Sequence, residues 1–155
     1  MAIRNIITND LERLTKKSRE VEKFDDRLAQ LLDDLTDTLR HSGGVGLAAP
    51  QVGILRRAVV IDIGQGLIEL VNPKIAMFSG EQDGSEGCLS FPNEYGLVKR
   101  PMHVKVKAHD RNGKPFEVSG DELLARALCH EIDHLDGIVF KSRVSRMLRP
   151  EEIEL

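Results

Sequence analysis

Tryptophan is absent from this 155-residue sequence, and aromatic residues make up only 4% of it. Basic residues are not in excess either, because 22 lysines and arginines are set against 25 aspartates and glutamates, for a formal net charge of −3. A protein that coats nucleic acid usually carries a basic excess with interleaved aromatic residues. We therefore expect no specific DNA binding.

Long apolar runs are also missing. No segment approaches the roughly 20 apolar residues of a membrane span, and the opening MAIRNIITND has no long apolar core of an export signal. Only two cysteines occur, Cys88 and Cys129, and in such a chain metal binding, catalysis or burial is favoured over a disulfide. We expect a cytoplasmic protein with no membrane partner, folded as one domain over residues 1–155.

Hydrophobic periodicity predicts two helices. In the first, leucines recur at three- and four-residue steps from about residue 25 to 40, which is typical of an amphipathic helix. These leucines are Leu28, Leu31, Leu35 and Leu39. The second would begin at Ser119, because a serine followed three residues later by Glu122 resembles a capping box, and would end at Gly137.

Between the helices the sequence predicts mostly short strands. Apolar or alternating residues mark four of them, at 57–63, 67–73, 103–110 and 114–119. Asn112-Gly113 tolerates the positive φ angles of a tight hairpin, so we expect the last two strands to pair antiparallel. The prediction is an α+β fold, with antiparallel sheets packed around a central helix that carries an HExxH motif and with an N-terminal amphipathic helix.

The segment CHEIDHLDG, residues 129–137, contains two histidines four residues apart. Successive helix residues are rotated by about 100°, so His130 and His134 lie on one face and can bind the same metal ion. Glu131 would lie to the side of that ion, which suits a glutamate that exchanges a proton with water. Two protein ligands do not hold a catalytic metal ion, so a third is required. The residue that supplies this third ligand differs between classes of metal-dependent hydrolases and therefore indicates the class.

The third ligands used by metalloproteases are missing downstream. One group has a third histidine six residues after the second, but position 140 is Phe. Another takes a glutamate from a later helix, whereas the glutamates after His134 all lie in a short tail beyond Pro150. Cys129 points about 100° away from the histidine face. Cys88, in a glycine-flanked segment expected between strands, is therefore the candidate, and three ligands leave one position open, as in catalytic sites.

With these residues in place, the sequence resembles the peptide deformylases. The motifs that carry the resemblance are GVGLAAPQ (44–51), EGCLS (86–90) and HEIDH (130–134), and further similarity covers nearly the whole chain. The resemblance implies an enzyme that removes the formyl group from the N-terminal methionine of newly made polypeptides and releases formate. Its partners would be N-formylmethionyl nascent peptides.

The resemblance also implies the roles of individual residues. Cys88, His130 and His134 would hold one divalent metal ion, Fe(II) in the first place, with zinc, nickel or cobalt able to replace it. Glu131 would accept the proton of the attacking water and pass it to the departing amine. The side-chain amide of Gln51 and the backbone N–H of Leu89 would stabilise the oxyanion.

Substrate binding is expected along exposed backbone. By the same resemblance, the peptide would lie as an added strand between Val45-Gly46 and the segment that begins at Gly87. Helix geometry places Ala127 one turn and Leu123 two turns before His130, where they could line an apolar pocket for methionine, although ordinary packing against a sheet is an equal alternative. Arg126 would lie at the edge of the pocket with its charge in water and its stem over the methionine.

Two other functions fit part of the pattern. A metalloprotease or aminopeptidase could use the same histidine pair, and a non-catalytic module could close a structural zinc site with both cysteines and both histidines. A further hypothesis concerns the C-terminal stretch, where four cations without an intervening acidic residue could make a transient contact with ribosomal RNA. They are Lys141, Arg143, Arg146 and Arg149.

Overall fold

Helices form at both places that the periodicity indicates. In the computed structural model, which describes residues 2–153, α1 is a single turn at Leu11–Leu14 and α2 spans Asp26–Ser42. The N-cap of α2 is Asp25, whose carboxylate accepts a hydrogen bond from the N–H of Leu28, and Gly43 ends the helix in the left-handed conformation (φ 76°). The third helix, α3, spans Glu122–Leu135 and carries the HEIDH segment.

Among the described residues, eight strands form two antiparallel sheets, which is the α+β arrangement that the sequence predicts. The five-stranded sheet has the order β1-β2-β3-β6-β7, and the three-stranded sheet has the order β4-β5-β8. The strand bounds are β1 Gly46–Ala48, β2 Ala58–Ile61, β3 Ile68–Ser79, β4 Gln82–Cys88, β5 Phe91–Arg100, β6 His103–His109, β7 Pro115–Asp121 and β8 Val144–Met147. The hairpin at Asn112-Gly113 joins β6 and β7, as predicted.

The two long helices cover opposite faces of the five-stranded sheet. Successive strand residues point to opposite faces, and in β2 the buried Val59 and Ile61 pack with α3, while Ala58 and Val60 pack with α2. On its other side α3 contacts the three-stranded sheet, where Arg126 donates to the carbonyl of β5 residue Val98 at 3.0 Å. The helix that bears the histidines is thus fixed by both sheets. None of the helices described here is long and apolar enough to cross a membrane.

The predicted capping box at Ser119 is wrong. Ser119 lies within β7, where it pairs with Lys105 of β6, and α3 begins after Asp121. The side chain of Asp121 makes no capping hydrogen bond. The alternating pattern of the strand continues through the serine, so sheet pairing overrides the local helix signal.

These two helix starts give a matched test of stability. Asp25→Ala removes the acceptor that caps α2 and should lower the free energy of unfolding by about 1 kcal/mol. Ser119→Ala removes an exposed hydroxyl that caps nothing, so it should change the free energy by less than about 0.5 kcal/mol. Urea unfolding of both variants measures the two values, and a larger loss for Ser119→Ala would contradict the assignment.

Candidate metal centre

Three potential metal ligands converge where β4 ends against α3. The Sγ atom of Cys88 lies 3.3 Å from Nε2 of His134. One ligand atom from each of Cys88, His130 and His134 lies within 4.8 Å of the others. Both histidines are buried, and the cysteine is half-buried. One soft sulfur and two imidazole nitrogens at this spacing fit a single transition-metal ion and leave room for a further ligand.

The sequence predicted that Cys88 lies in a segment between strands. The structure instead places it at the end of a strand. It is the last residue of β4, and a turn at Leu89-Ser90 leads directly into β5 at Phe91. The buried ring of Phe91 packs against Phe140 and holds this turn on the core. The sulfur is therefore placed by a paired strand and a packed aromatic residue.

The second cysteine is not part of this cluster. Cys129 is buried in the core between α3 and the five-stranded sheet, among apolar side chains. Burial raises the pKa of its thiol to about 11. The thiol therefore stays protonated and acts as a small core residue.

A buried carboxylate orients the first histidine. Glu86 accepts a hydrogen bond from Nδ1 of His130 at 2.7 Å, so the Nε2 lone pair of that ring is left for a metal. Arg100 binds the same carboxylate through Nε and Nη2 at 2.9 and 2.7 Å, and Arg126 binds it at 2.6 Å. Burial alone would raise the pKa of Glu86, but the hydrogen bonds from Arg100 and His130 hold it well below its ordinary value. The carboxylate is therefore ionised beside His130.

The network continues through Asp133 to the segment that follows α3. Asp133 accepts from Arg100 at 2.7 Å and from Arg143 at 2.6 and 3.0 Å. Arg126 is itself buried, with its guanidinium on Glu86 rather than in water. The prediction that the charge of Arg126 lies in water is therefore wrong. A buried carboxylate binds the guanidinium more strongly than water at the edge of the cavity does.

Glu131 is almost fully buried next to the histidines. Its Oε2 lies 4.0 Å from Nε2 of His130, and its Oε1 has no hydrogen-bond partner within the part of the chain that the structure describes. Burial raises the pKa of this carboxyl to about 7. A Cβ atom on Gly46 would lie only 2.6 Å from Oε2, so the glycine gives the carboxylate the space that it occupies.

Gln51 also lies next to the cysteine, in a short 3-10 helix at Ala49–Val52. Its Oε1 accepts from the N–H of Ala48 at 2.9 Å, which fixes the orientation of the amide. Its Nε2 donates to Oγ of Ser90 at 3.1 Å and lies 3.5 Å from Sγ of Cys88. A polar N–H is thus held at the edge of the metal cluster.

A cavity of about 600 Å³ opens over these groups. Its walls are formed by residues of β1 and β4, of the turns beside them and of α3. They include Val45, Gly46, Gln51, Gly87, Cys88, Leu89, Leu123, Ala127, His130 and Glu131. Ala127 is buried, whereas 51% of the Leu123 surface is exposed. Leu123 therefore faces the cavity mouth more than the core. The structure brings the residues predicted for catalysis, metal binding and substrate binding to one place.

Comparison with known proteins identifies the family. Residues 3–150 match the family described as polypeptide deformylase. The chain belongs to this family. The peptide deformylase of Caldicellulosiruptor bescii is 60% identical over 154 residues, which cover 99% of this chain and 93% of the relative. Peptide deformylase 1 of Bacillus subtilis is 51% identical over 155 residues, covering 99% of this chain and 97% of the relative.

Solved structures of peptide deformylases share the fold. The enzyme of Thermotoga maritima aligns with a TM-score of 0.90 at 36% identity, over 92% of this chain and 98% of that one. The enzyme of Ehrlichia chaffeensis, solved in complex with actinonin, aligns with a TM-score of 0.91 at 37% identity, over 94% and 90% of the two chains.

Several residues of the site were not singled out from the sequence. They are Glu86, Ser90 and Arg100. One signal was available for the first: residues two apart on a strand point to the same side, so a glutamate two positions before the cysteine shares its face. The arginine partners had no such signal, because they approach from other elements of the fold.

The buried carboxylate generates a prediction about metal affinity. Glu86→Gln keeps the size of the side chain but removes the charge that His130 and two arginines contact, so the apparent affinity for Co(II) should fall about 10- to 100-fold. Competition with a chelator measures it. The matched control is Glu69→Gln, which breaks a similar arginine contact, to Arg111 at 2.6 and 3.0 Å, outside the site. Equal affinities for Glu86→Gln and the wild type would contradict the role.

Proposed function

We propose that this chain is a metal-dependent hydrolase that removes the N-formyl group from the N-terminal methionine of newly synthesised polypeptides and releases formate. The observation that carries the proposal is the convergence of Cys88, His130 and His134 beside the buried, unpartnered oxygen of Glu131, at the base of a cavity. Membership of the polypeptide deformylase family supports the same reaction. We assign residues 1–155 to one catalytic domain, because the site draws on both sheets and on α3.

The donor set supports one divalent metal ion. A thiolate with two imidazoles suits iron, zinc, nickel and cobalt, and we propose Fe(II) as the physiological ion on the basis of the family resemblance. When bound, such an ion supplies Lewis acidity and makes water a stronger nucleophile near neutral pH. The chain contributes the ionised Glu86, which keeps Nε2 of His130 available, and the packed turn that holds Cys88.

Glu131 is proposed to move the proton. Its free Oε1 faces no competing donor among the described residues, so it can accept a proton from the attacking water and return it to the amine that leaves. Water adds to the formyl carbon and the C–N bond breaks. The products are formate and a free amino terminus. Exclusion of bulk water from the buried carboxylate keeps this transfer local.

Two N–H donors are proposed to stabilise the formyl oxygen, which gains negative charge when water adds to the formyl carbon. Hydrogen bonds to Ala48 and Ser90 hold the side-chain amide of Gln51 with its Nε2 beside Cys88. Leu89 lies in the turn that directly follows Cys88 and also lines the cavity. Donors that are fixed before the reaction need no reorganisation when the charge develops. Loss of one such donor typically lowers kcat about 10²- to 10³-fold.

The peptide is proposed to bind as a strand between two sheet edges. β1 is an edge strand of the five-stranded sheet and β4 of the three-stranded sheet, and both border the cavity. The carbonyl of Val45 already accepts from the N–H of Asp62 at 2.8 Å, so the outer edges of the backbone at Gly46 and Gly87 are proposed to hydrogen-bond a peptide of almost any sequence, with Val45 beside it. The methionine side chain would contact Leu123 and Ala127, where the cavity reaches the first turns of α3.

Location and partners follow the proposed reaction. We place the protein in the cytoplasm, where formylated nascent peptides are its substrates. The C-terminal stretch gives little support to a contact with ribosomal RNA, because each of its four cations is already ion-paired within the chain. The pairs are Lys141–Glu94 at 2.8 Å, Arg143–Asp133 at 2.6 Å, Arg146–Glu152 at 2.8 Å and Arg149–Glu151 at 3.2 Å.

Gly46 provides a test of the space that Glu131 needs. Gly46→Ala would place a Cβ against the carboxylate, and displacement of a reacting group by about 1 Å can cost about 10²-fold in rate. We expect kcat for a formyl peptide to fall by about that factor while the bound metal stays at one per chain. Gly120→Ala is the control, because its Cβ would meet a side chain, that of Leu124, at a similar 2.8 Å but outside the cavity. An equal loss in both variants would contradict the account.

The central experiment is formate release from formyl-Met-Ala-Ser by enzyme reconstituted anaerobically with Fe(II). We expect release by the wild type, a loss of at least about 10²-fold in Glu131→Gln with its metal retained, and no cleavage of the unformylated peptide. Cleavage of the unformylated peptide would favour the protease alternative. Cys129→Ser should keep both metal and activity, whereas loss of metal in that variant would favour a closed structural zinc site.

A further inference from the structure

Residues 2–18, which we name the N-terminal segment, are held at both ends by the long helices. Near its start, Nε of Arg4 donates to the buried carboxylate of Asp34 in α2 at 2.9 Å. At its end, the N–H of Ser18 donates to the carbonyl of Leu135, the last residue of α3, at 2.8 Å. The segment therefore runs from one long helix to the other and is fixed to both.

The middle of the N-terminal segment contacts two residues of the candidate metal centre. The N–H of Ile7 donates to the carbonyl of Gln51 at 2.7 Å, and the N–H of Asn9 donates to the carbonyl of Ser90 at 2.9 Å. The side chains of Gln51 and Ser90 are also joined, because Nε2 of the glutamine donates to Oγ of the serine at 3.1 Å. These three hydrogen bonds form a closed ring that includes the amide proposed to stabilise the oxyanion.

This ring sets the distance between two parts of the fold that are far apart in the sequence. Gln51 lies in the 3-10 helix after β1, Ser90 lies in the turn after β4, and both are buried. The two N–H groups that hold their backbones are two residues apart, so at most about 7 Å of chain separates them. The bond from Gln51 to Ala48 is local, whereas its bond to Ser90 depends on this distance. The N-terminal segment therefore controls one of the two bonds that orient the Gln51 amide.

Asn9 makes its contact from a left-handed backbone conformation, with a φ of 54°. Glycine adopts this conformation freely and asparagine tolerates it, whereas a β-branched residue is strongly disfavoured there. The side chain of Asn9 is exposed, so what this residue gives to the site is the direction of its backbone N–H. Backbone conformations of this kind persist where the surrounding structure determines them, and they are frequent beside functional sites.

We propose that Asn9 is a positioning residue for deformylation: its left-handed backbone holds Ser90, and through Ser90 it holds the Gln51 amide where the oxyanion forms. The inference rests on the proposed function, because it assigns the amide to the charge that develops in that reaction. A donor that acts on this charge stabilises the transition state more than the bound substrate. Displacement of the amide should therefore lower kcat and leave KM nearly unchanged, whereas a segment that served stability alone would lower only Tm.

The test compares two substitutions of Asn9 by formate release from formyl-Met-Ala-Ser, with the enzyme reconstituted anaerobically with Fe(II). Valine is strained at a φ of 54°, so in Asn9→Val the N–H shifts away from Ser90. We expect kcat to fall at least about tenfold, with KM within about twofold of the wild type and one metal ion per chain. Asn9→Gly keeps the conformation without strain and should keep kcat within about twofold.

A double variant identifies the route by which Asn9 acts. If the effect passes through the Gln51 amide, Asn9→Val should lower kcat less than about twofold once Gln51→Ala has removed that amide, because residues that act together are not additive. The same tenfold loss on both backgrounds would overturn the proposal. Loss of metal from Asn9→Val would also overturn it, since the segment would then support the ligands instead of the amide.

The matched control is Asn72→Val. Asn72 has a similar φ of 51°, lies outside the cavity, and exchanges hydrogen bonds of 2.8 and 3.0 Å with the backbone of Val21. Valine there adds strain and removes both bonds, so Tm should fall at least as far as in Asn9→Val, while kcat, measured where both variants are folded, should stay within about twofold of the wild type. Equal losses of kcat in the two variants, or a wild-type kcat in Asn9→Val, would overturn the proposal. Absence of formate release by the wild type would instead contradict the proposed function.

Discussion

The buried carboxylate of Glu86 is the interaction on which the metal centre depends. It accepts hydrogen bonds from His130, Arg100 and Arg126, which come from α3 and β5, while its own strand, β4, ends in Cys88. A charge buried in this way is stable only when all its partners are present. The same contacts therefore join the two sheets through α3 and fix the distance between the sulfur of Cys88 and the imidazoles.

The position of the cavity follows from this junction of the two sheets. Each sheet presents an edge strand, β1 or β4, to the cavity. Gly46 brings the β1 backbone close to Glu131, and Gly87 lies under the ring of Tyr95, which a Cβ would meet at about 2.5 Å. Under the proposed mode of binding, main-chain contacts at both edges would let one site act on many peptides, and only the first residue would need a side-chain pocket.

The sequence predicted the parts of the structure that depend on local periodicity. The spacing of His130 and His134, the leucine stripe of α2 and the Asn112-Gly113 hairpin each rest on a few neighbouring residues. The arginine contacts of Glu86 could not be predicted, because Arg100 and Arg126 lie 14 and 40 residues away in the chain and their approach depends on the finished fold. The error at Ser119 has the opposite cause: a local helix signal was overridden by strand pairing.

The central claim is that Cys88, His130 and His134 together hold one catalytic metal ion. An X-ray absorption spectrum of the enzyme reconstituted with a single Co(II) or Fe(II) per chain tests it most directly, because scattering distinguishes sulfur from nitrogen neighbours. We expect one sulfur at about 2.3 Å and two imidazole nitrogens at about 2.1 Å, close to the distances of zinc sites. Two sulfur neighbours would bring Cys129 into the site and contradict the account.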